Sequence, residues 1–200
     1  MEMLSTIVDY EHKQDAGVPC DIIIVNSSPE GHEFIRSLEG NTRNGRIRTF
    51  NRDNIGGSFG AYDFAHKECP EYDYFLLTED DIVVFGKKYY RDLITTFESY
   101  RRMGMLALID VVENHSLGIH AHGAVGLTKK SVLDDVAKYN GGSLPHHTGA
   151  WNKAHVITQG EVPFTRSMHE LEYQLDTFSP VKEWSPEKLC VPYYQFKDTL

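Results

Sequence analysis

The sequence predicts an α/β protein built as one domain, with a mostly parallel sheet flanked by helices. Short apolar segments that are typical of buried strands alternate with longer segments whose apolar residues recur at helical spacing. Polar or glycine-containing loops follow three of the predicted strands. Because ligands in α/β sheets bind beyond the carboxyl ends of the strands, these loops are where a site is expected.

The predicted helices and strands alternate over the first two thirds of the chain. Helices are predicted over residues 4–14, 31–39, 58–68, 87–102 and 129–138. Strands are predicted over residues 21–25, 46–50, 74–77, 105–112 and 124–127. The strand 21–25 carries a continuous apolar run, which predicts burial on both faces, and Ser58 is predicted to cap the helix that it begins. In residues 140–200 Gly, Pro and His are frequent and the pattern is weak.

Composition and charge exclude several classes of protein. The chain has 200 residues, 40% of them hydrophobic, which suits one domain with a sizeable core. A net charge of -9 is unsuited to binding nucleic acid, which requires clustered Lys and Arg. Its three cysteines are widely spaced, so neither a zinc site nor a disulfide framework is expected. Without a signal peptide or an apolar run of about 20 residues, the sequence predicts a cytoplasmic protein with no membrane span.

Three adjacent carboxylates, Glu79, Asp80 and Asp81, follow one apolar segment and precede another. Because like charges repel, such a cluster costs energy unless a cation or a helix N-terminus compensates it. Mg²⁺ and Mn²⁺ prefer hard oxygen ligands, commonly one or two protein carboxylates together with substrate phosphates. The cluster therefore predicts a divalent metal that neutralises a diphosphate, and a solvated acidic turn is the simpler alternative.

A glycine pair, Gly56 and Gly57, links a predicted strand to a predicted helix and follows Asn54 closely. Backbone N–H groups at the start of a helix bind anions, and glycine lets a ligand approach the backbone. No G-K-[ST] sequence follows the pair, which excludes a P-loop. The loop predicts either a phosphate contact or only a turn.

Four segments, taken in order, resemble the family-2-like glycosyltransferases that have the Rossmann-like GT-A fold. Residues 21–31 (DIIIVNSSPEG) are similar to the family's second strand and nucleoside-contacting loop, and residues 51–62 (NRDNIGGSFGAY) to its Asn-x-Gly-Gly segment. Residues 74–82 (YFLLTEDDI) resemble its DXD-type metal motif, and residues 122–127 (HGAVGL) its acceptor-side strand. Residues 1–200 are expected to form a single GT-A-like domain, alone or within a longer protein, without the strand that usually precedes the family's first helix.

The resemblance implies a nucleotide-sugar donor, with a UDP-sugar favoured, and a Mn²⁺ or Mg²⁺ cofactor. It also implies an inverting transfer of the sugar to a hydroxyl of a glycan or glycoprotein. The residues implied to bind the nucleotide-sugar are Asn26, Ser27, Ser28, Asn54, Gly56, Gly57, Glu79, Asp80 and His122. The metal ligands are expected among Glu79, Asp80 and Asp81, and the choice between these carboxylates stays open.

An inverting transferase needs a carboxylate or a histidine near the acceptor hydroxyl, to take its proton as the new bond forms. The family often has an acidic residue after a glycine, well past the metal motif, and Glu161 is the best match to that position. Asp110 with Glu113 is the second choice, and Glu170 with Glu172 is the third.

Four histidines and one tryptophan also stand out: His120, His122, His146, His147 and Trp151. Neutral imidazole is a good metal ligand, and the family sometimes uses a late histidine for this purpose. The pair His146–His147 lies in a Gly- and Pro-rich loop that is suited to close over a donor. Trp151 is a candidate for stacking on a sugar face and equally for a place in the core.

Two other functions remain compatible with the sequence. A sugar nucleotidyltransferase shares the α/β layout and the use of metal, although it usually carries a Gly-rich basic loop near its N-terminus that this chain lacks. A non-catalytic module that binds a sugar or nucleotide is the second. Metal-dependent hydrolysis of the donor separates an enzyme from a module, and preference for a diphospho-sugar over a triphosphate separates the two enzymes.

Overall fold

The computed structural model describes residues 2–84, 86–109, 111–114, 118–149, 152–178 and 190–192. The α-helices in these residues are α1 (Glu2–Lys13), α2 (His32–Ser37), α3 (Gly57–Glu68), α4 (Tyr89–Ser99), α5 (Lys130–Tyr139), α6 (Lys153–Val156) and α7 (Val162–Glu170). The strands are β1 (Ile22–Asn26), β2 (Gly40–Asn41), β3 (Arg46–Asn51), β4 (Tyr74–Leu77), β5 (Ile82–Val84), β6 (Met103–Ala107), β7 (Val111–Asn114), β8 (Gly118–Ala121), β9 (Gly126–Lys129), β10 (Gln174–Thr177) and β11 (Cys190–Pro192). Short 3-10 helices span Pro29–Gly31 and His122–Ala124, and a π-helix spans Ile157–Glu161.

The chain divides into two compact units, each assembled from separate stretches of sequence. The first unit contains residues 1–52, 79–95 and 179–200, and the second contains residues 53–78 and 96–178. The single domain that the sequence predicts stays a prediction. None of the helices in the described residues is long and apolar enough to cross a membrane.

In the first unit, three strands form a sheet in the order β1–β3–β2. β1 runs parallel to β3, with Ile22 opposite Ile47 and Asn26 opposite Asn51, whereas β2 is antiparallel to β3. A separate antiparallel pair joins β5 and β11. Every residue of β1 is only half-buried, so the predicted burial on both faces is wrong. Among the described strands β1 lies at the edge of a small sheet and has a neighbour on one side only.

In the second unit, four strands form a sheet in the order β10–β6–β9–β4. β6 lies inside this sheet, and all five of its residues are buried. The most deeply buried side chains of this unit come from β6, β9 and the helices, and they include Phe59, Met105, Leu106, Leu127, Leu133, Val136, Phe164 and Met168. Burial of each such side chain stabilises the fold by roughly 1.5–3 kcal/mol, so this cluster holds the second unit together.

The α/β class is confirmed, but the described sheets are mixed and the mostly parallel arrangement is not found in them. β1–β3 and β6–β10 are the parallel pairs among the described strands, and the other pairs are antiparallel. The chain passes from β6 to β9 through the antiparallel pair β7–β8 instead of through a helix. Parallel neighbours require a long crossover, usually helical, so β6 and β9 pair antiparallel.

Two of the predicted strands differ from the observed ones. The predicted strand 105–112 is divided into β6 and β7. The predicted strand 124–127 starts later, as β9, because a 3-10 turn precedes it. Within that turn Gly123 (φ 62°) and Ala124 (φ 48°) adopt left-handed conformations, which an extended strand does not contain.

The start of α3 and the last third of the chain also differ from prediction. Gly56 occupies the N-cap position of α3, no side chain caps this helix, and Ser58 lies inside it. α6, the π-helix, α7 and β10 all follow residue 140, where the sequence predicts no regular element. Helices in this part carry proline and glycine, Gly160 and Pro163, which weaken any sequence pattern for a helix.

Candidate functional site

The carboxyl ends of the parallel strands β1 and β3 carry a network of polar side chains in the first unit. The Asn26 side-chain nitrogen donates to the Asn51 side-chain oxygen at 2.9 Å and to the Ser28 carbonyl at 2.8 Å. The Asn26 side-chain oxygen accepts from the Ser28 backbone N–H at 3.0 Å. The Arg52 guanidinium donates to the Ser27 hydroxyl at 3.0 Å, and the Arg52 backbone N–H donates to the Asn26 carbonyl at 3.0 Å. These bonds use both donors and the acceptor of the Asn26 amide, so its orientation is fixed.

This network brings Asn26, Ser27 and Ser28 together in the loop for which the resemblance implies nucleoside contacts. It also adds two residues to which the sequence assigns no role, Asn51 and Arg52. Their position could have identified them, because both directly follow the apolar part of β3 and Asn51 lies opposite Asn26 in the strand pair. Asn51 is exposed and Arg52 is half-buried, so amide, hydroxyl and guanidinium groups remain accessible to a polar ligand. Guanidinium groups are well suited to phosphate oxygens.

The acidic residues Glu79, Asp80 and Asp81 form the turn that joins β4 to β5 along the chain. The Ile82 backbone N–H donates to the Glu79 carbonyl at 3.2 Å and closes this turn. Asp80 and Asp81 are exposed, whereas Glu79 is half-buried. The two aspartates are therefore the carboxylates that a solvated cation reaches most easily.

Exposed carboxylates on a turn fit one kind of divalent site. Mg²⁺ usually keeps several water molecules and takes only one or two protein carboxylates, together with substrate phosphates. Within the side chains that the structure describes, no three His, Cys, Asp or Glu form a group that could hold a metal. Within the described residues the acidic turn does not form a closed structural metal site, and Asp80 and Asp81 are its groups that could ligate a metal together with water and phosphate.

The glycine pair lies at the start of α3, in the second unit. Gly56 (φ 79°) and Gly57 (φ 58°) both adopt left-handed conformations that favour glycine. A Cβ at Gly56 would stand 2.8 Å from both His146 Cδ2 and the His147 carbonyl oxygen. Gly56 therefore lets the chain at 146–147 pack directly on the start of α3, while Asn54 in the same loop is exposed.

The two adjacent histidines are held in place through their Nδ1 atoms. His146 Nδ1 lies 2.8 Å from the Leu144 carbonyl, and His147 Nδ1 lies 2.8 Å from the Gln159 side-chain oxygen. The His147 ring also packs on His155, with 4.5 Å between ring centroids. Since Nδ1 is used in each ring, Nε2 is the nitrogen through which either histidine would contact a ligand.

Glu161 is the last residue of the π-helix, which joins α6 to α7 in one helical stretch. Pro163 lacks a backbone N–H, and in an α-helix its ring clashes with the carbonyl four residues earlier, that of Gln159. A widened turn relieves this clash, which accounts for the π-helix at this position. Gly160 allows close contact with α3, because a Cβ there would stand 2.8 Å from the Phe59 ring. The π-helix also contacts the turn His122–Ala124.

Glu161 is buried and faces His120 of β8, which is buried as well. Its Oε1 lies 3.8 Å from His120 Nε2, a distance too long for a hydrogen bond. His120 Nδ1 lies 3.1 Å from the Gly118 carbonyl. β8 is fixed to α7 by the Ala121 backbone N–H, which donates to the Thr165 hydroxyl at 3.3 Å. A carboxylate and an imidazole are thus held together where the solvent has little access, as in many proton-transfer sites.

For four other predicted site residues the structure describes either only the backbone or nothing. Asp110 and Trp151 lie outside the described residues. His122 belongs to the 3-10 turn and Glu113 to β7, but their side chains lie outside those described. Their roles stay predictions.

The third-choice bases, Glu170 and Glu172, are both exposed at the surface. Glu170 accepts a hydrogen bond from the Tyr139 hydroxyl at 2.7 Å, and Glu172 lies 3.8 Å from the Arg102 guanidinium. Of the carboxylates considered as bases whose side chains are described, Glu161 is therefore the one in a shielded setting next to a second proton-transfer group.

The resemblance to GT-A glycosyltransferases rests on the four motifs and on their order and spacing in the sequence. The polar network at β1 and β3, the acidic turn, and the surroundings of Glu161 are each built from residues of those motifs or from the predicted base. No protein-family model, curated protein or solved structure matches this chain.

Proposed function

We propose that the chain is a metal-dependent, inverting glycosyltransferase with a GT-A-like fold that acts in the cytoplasm. It takes a sugar from a nucleoside diphosphate sugar, preferentially a UDP-sugar, and transfers it to a hydroxyl of a glycan or glycoprotein. The fold and the substrates follow from the resemblance, and the arrangement of side chains supports the assignment of roles.

The observation that supports this function most strongly is the gathering of three distant segments around the π-helix. Helix α3, which the glycine pair begins, the turn His122–Ala124 and the predicted base Glu161 are separated by many residues along the chain. The π-helix nevertheless contacts α3 at Phe59, contacts the turn, and contains Glu161. Each of the three carries a residue that the resemblance links to donor binding or to catalysis.

The donor would be held by residues of the first unit. The Ser27 hydroxyl and the Asn51 amide, which Asn26 holds in place, offer donors and acceptors for a base or a ribose, and Arg52 offers a positive charge for phosphate. Asp80 and Asp81 would ligate Mn²⁺ or Mg²⁺ from the acidic turn. A metal bound there would supply positive charge that stabilises the diphosphate as a leaving group.

Glu161 would act on the acceptor side of the reaction. Its carboxylate takes the proton of the acceptor hydroxyl as the acceptor oxygen bonds to the anomeric carbon of the sugar. The bond between that carbon and the diphosphate oxygen breaks, and the diphosphate leaves with the electron pair. Attack from the side opposite to the leaving group inverts the anomeric configuration.

Calorimetric titration with UDP, GDP, TDP and CDP, each with and without Mn²⁺, tests this function. We expect one diphosphate, UDP by preference, to bind only in the presence of the metal. The double variant Asp80→Ala, Asp81→Ala should lose this metal-dependent binding by more than about tenfold, since a ligand interaction of 1.4 kcal/mol already corresponds to that factor. Unchanged binding in the double variant would contradict the proposed metal site.

A matched control separates a local effect from a loss of net charge. The double variant Asp9→Ala, Glu33→Ala removes two exposed carboxylates of the same unit and should leave the binding of UDP and Mn²⁺ unchanged. Metal-dependent binding without release of UDP from a UDP-sugar would indicate a binding module. Tighter binding of UTP than of a UDP-sugar would indicate a nucleotidyltransferase.

A further inference from the structure

The contact between His120 and Glu161 differs from the other ion pairs of the described residues. Their side chains are only 6% and 12% exposed, whereas every other pair has at least one side chain that is substantially exposed. Side chains of this kind are rarely buried together without a hydrogen bond between them. The 3.8 Å between Oε1 and Nε2 therefore requires a physical reason.

The reason lies in the tautomer of His120. The Gly118 carbonyl, 3.1 Å from Nδ1, can only accept a hydrogen bond, so Nδ1 carries the hydrogen. In a neutral imidazole the other nitrogen, Nε2, then has no hydrogen and can only accept. An ionised Glu161 also offers only acceptors, so two acceptor atoms face each other and stay apart. A hydrogen bond between Glu161 Oε1 and His120 Nε2 would need one additional proton.

We propose that His120 is a positioning residue for Glu161, whose unprotonated Nε2 accepts a hydrogen bond from Glu161 once this carboxylate has taken a proton from the acceptor. This inference rests on the proposed transferase function. During transfer the acceptor O–H bond breaks, its proton passes to Glu161, and the acceptor oxygen bonds to the anomeric carbon while the diphosphate leaves. The new carboxylic O–H then donates to Nε2, and the distance between the two atoms shortens to about 2.7 Å.

The arrangement determines which protonation state of Glu161 this contact stabilises. A buried carboxylic acid whose O–H lacks an acceptor is destabilised, because it has lost water and gained no partner. With His120 Nε2 as the partner, the protonated form of Glu161 is stabilised at the stage of the reaction in which it forms. Oε1 takes the acceptor proton on the lone pair that does not face Nε2, and rotation about the carboxyl C–O bond then turns the new O–H towards Nε2. The Gly118 carbonyl fixes the ring so that Nε2 keeps pointing at Oε1.

The tautomer can be measured without any activity. NMR of the whole chain labelled with ¹⁵N-histidine, at a pH where imidazole is neutral, reports which ring nitrogen carries the hydrogen, and His120→Gln assigns the His120 signals. We expect hydrogen on Nδ1 and none on Nε2. Hydrogen on Nε2 would overturn the inference, whatever the enzyme does.

Kinetics then test the role of Nε2. Turnover is measured as UDP released from UDP-hexoses in the presence of Mn²⁺, with water as the acceptor. His120→Phe fills a similar space without an acceptor and should lower kcat about 10- to 100-fold with little change in KM. His120→Gln can place its amide oxygen near the position of Nε2 and should keep kcat within a few-fold of the unmodified chain.

Two further measurements separate this role from a structural one. Thermal unfolding shows whether each variant is folded, and His120→Asn, whose shorter side chain can still bond to Gly118 but not reach Glu161, replaces His120→Phe if the latter does not fold. Equal losses of kcat in His120→Gln and in the variants without an acceptor near Glu161, or a change confined to KM, would overturn the inference and leave the transferase function intact. A chain that binds no nucleoside diphosphate and releases no UDP would overturn the proposed function, and the inference with it, even where the tautomer is as expected.

Discussion

In the first unit the side chains proposed to bind a ligand lie at strand ends and in the loops that follow them, where solvent reaches them, whereas the second unit holds polar side chains in its interior. Asn51, Asp80 and Asp81 are exposed, and Asn26, Ser27 and Arg52 are half-buried. All of the buried polar or charged side chains of the described residues belong to the second unit: Asp63, His66, His120, Thr128, Glu161, Thr165 and Ser167. Accessible groups suit binding, and buried groups must find partners within the protein.

Most of the buried groups have such partners. Asp63 accepts hydrogen bonds from the Leu144 backbone N–H and from the Lys67 ammonium, each at 2.8 Å. The Thr128 hydroxyl donates to the Gly104 carbonyl at 2.7 Å. Glu161 and His120 differ in another respect, because these two buried side chains face each other at 3.8 Å without a hydrogen bond between them. The comparison shows that the hydrogen bonds of Asp63 and Thr128 are structural, whereas the Glu161–His120 pair is the buried contact on which the proposed chemistry depends.

The largest expected effect tests that pair. Glu161→Gln keeps the shape of the side chain but removes its ability to take a proton, so we expect kcat for UDP release to fall about 10²- to 10⁴-fold, the usual contribution of a general base. Binding of UDP with Mn²⁺ should be unchanged. Glu170→Gln, at an exposed position of the same helix, is the control and should retain full activity. A small effect of Glu161→Gln would make Glu161 one more structural group of the second unit.

A change at Gly56 tests how tightly the second unit is packed around the start of α3. Gly56→Ala places a Cβ 2.8 Å from two atoms of the 146–147 segment, at a φ of 79° that alanine adopts only with strain. We expect a loss of about 2–4 kcal/mol in the free energy of unfolding, measured with urea. Gly141 has a similar φ of 84° but no described atom within 4 Å of such a Cβ, so Gly141→Ala should cost only about 1 kcal/mol. Equal losses in the free energy of unfolding of the two variants would show that the close packing at Gly56 contributes nothing to stability.

Glu11 is an exception to the solvent-accessible polar side chains of the first unit. Its carboxyl is shielded from solvent, although the residue as a whole is only half-buried. Burial raises the pKa of the Glu11 carboxyl from 4.5 to about 7, and the hydrogen bond from the Tyr89 hydroxyl lowers it by less. The folded chain therefore binds this proton more tightly than the unfolded chain. Between about pH 4.5 and pH 7 the free energy of unfolding should fall as the pH rises, and the full cost of ionising Glu11 is present above pH 7.

Glu11→Gln should remove this pH dependence. At pH 8 the variant should be more stable than the unmodified chain by roughly 3 kcal/mol, and near pH 4.5 the two should be about equally stable. Urea unfolding followed at several pH values measures both. Glu33→Gln, at an exposed position of the same unit, should leave the slope unchanged. A parallel pH profile for Glu11→Gln and the unmodified chain would mean that the Glu11 carboxyl is solvated.

The smallest expected effect lies in the exposed network of the first unit. Asn51→Ala removes one exposed hydrogen bond to Asn26, so the free energy of unfolding should change by less than about 1 kcal/mol. Because Asn51 is an accessible group of the proposed nucleoside site, affinity for UDP measured by calorimetry should still fall about 5- to 10-fold. Asn41→Ala, at an exposed position of the same sheet, should change neither quantity. A large loss of stability with unchanged affinity would make the network structural.

The sequence predicts individual elements of this fold better than the way they pair. The apolar run at 21–25 and the helical spacing of residues 58–68 correspond to β1 and α3 with small shifts. Strand direction depends on the connection between strands, and the antiparallel pair β7–β8 has no strong local pattern that distinguishes it from a continuous strand. The half-buried state of β1 depends equally on which strands lie beside it, and this is a long-range property that a run of Ile and Val does not reveal.

In the candidate site, too, local sequence identifies some residues, whereas others depend on how the strands and helices pack. Asn26, Ser27 and Ser28 are recognisable because they follow an apolar run directly, whereas Arg52 enters the network only through strand register. The contact of His120 with Glu161 joins residues 41 positions apart on a strand and a π-helix. No local spacing predicts it, since it depends on the packing of β8 on α7.

Because of the π-helix, the direction of the Glu161 side chain depends on the number of residues in this helical stretch as well as on their identity. A π turn holds about one residue more than an α turn, and each residue of an α-helix advances the chain by about 100° around the axis. The helical stretch from Lys153 to Glu170 thus contains one inserted position, located just before Pro163. A chain that lacks one residue between 157 and 161 and has another residue in place of Pro163 could form an unbroken α-helix there that still contains Glu161. In such a chain Glu161 would be turned by about a quarter of a circle away from its present direction. A one-residue deletion would then separate the pair more thoroughly than many substitutions.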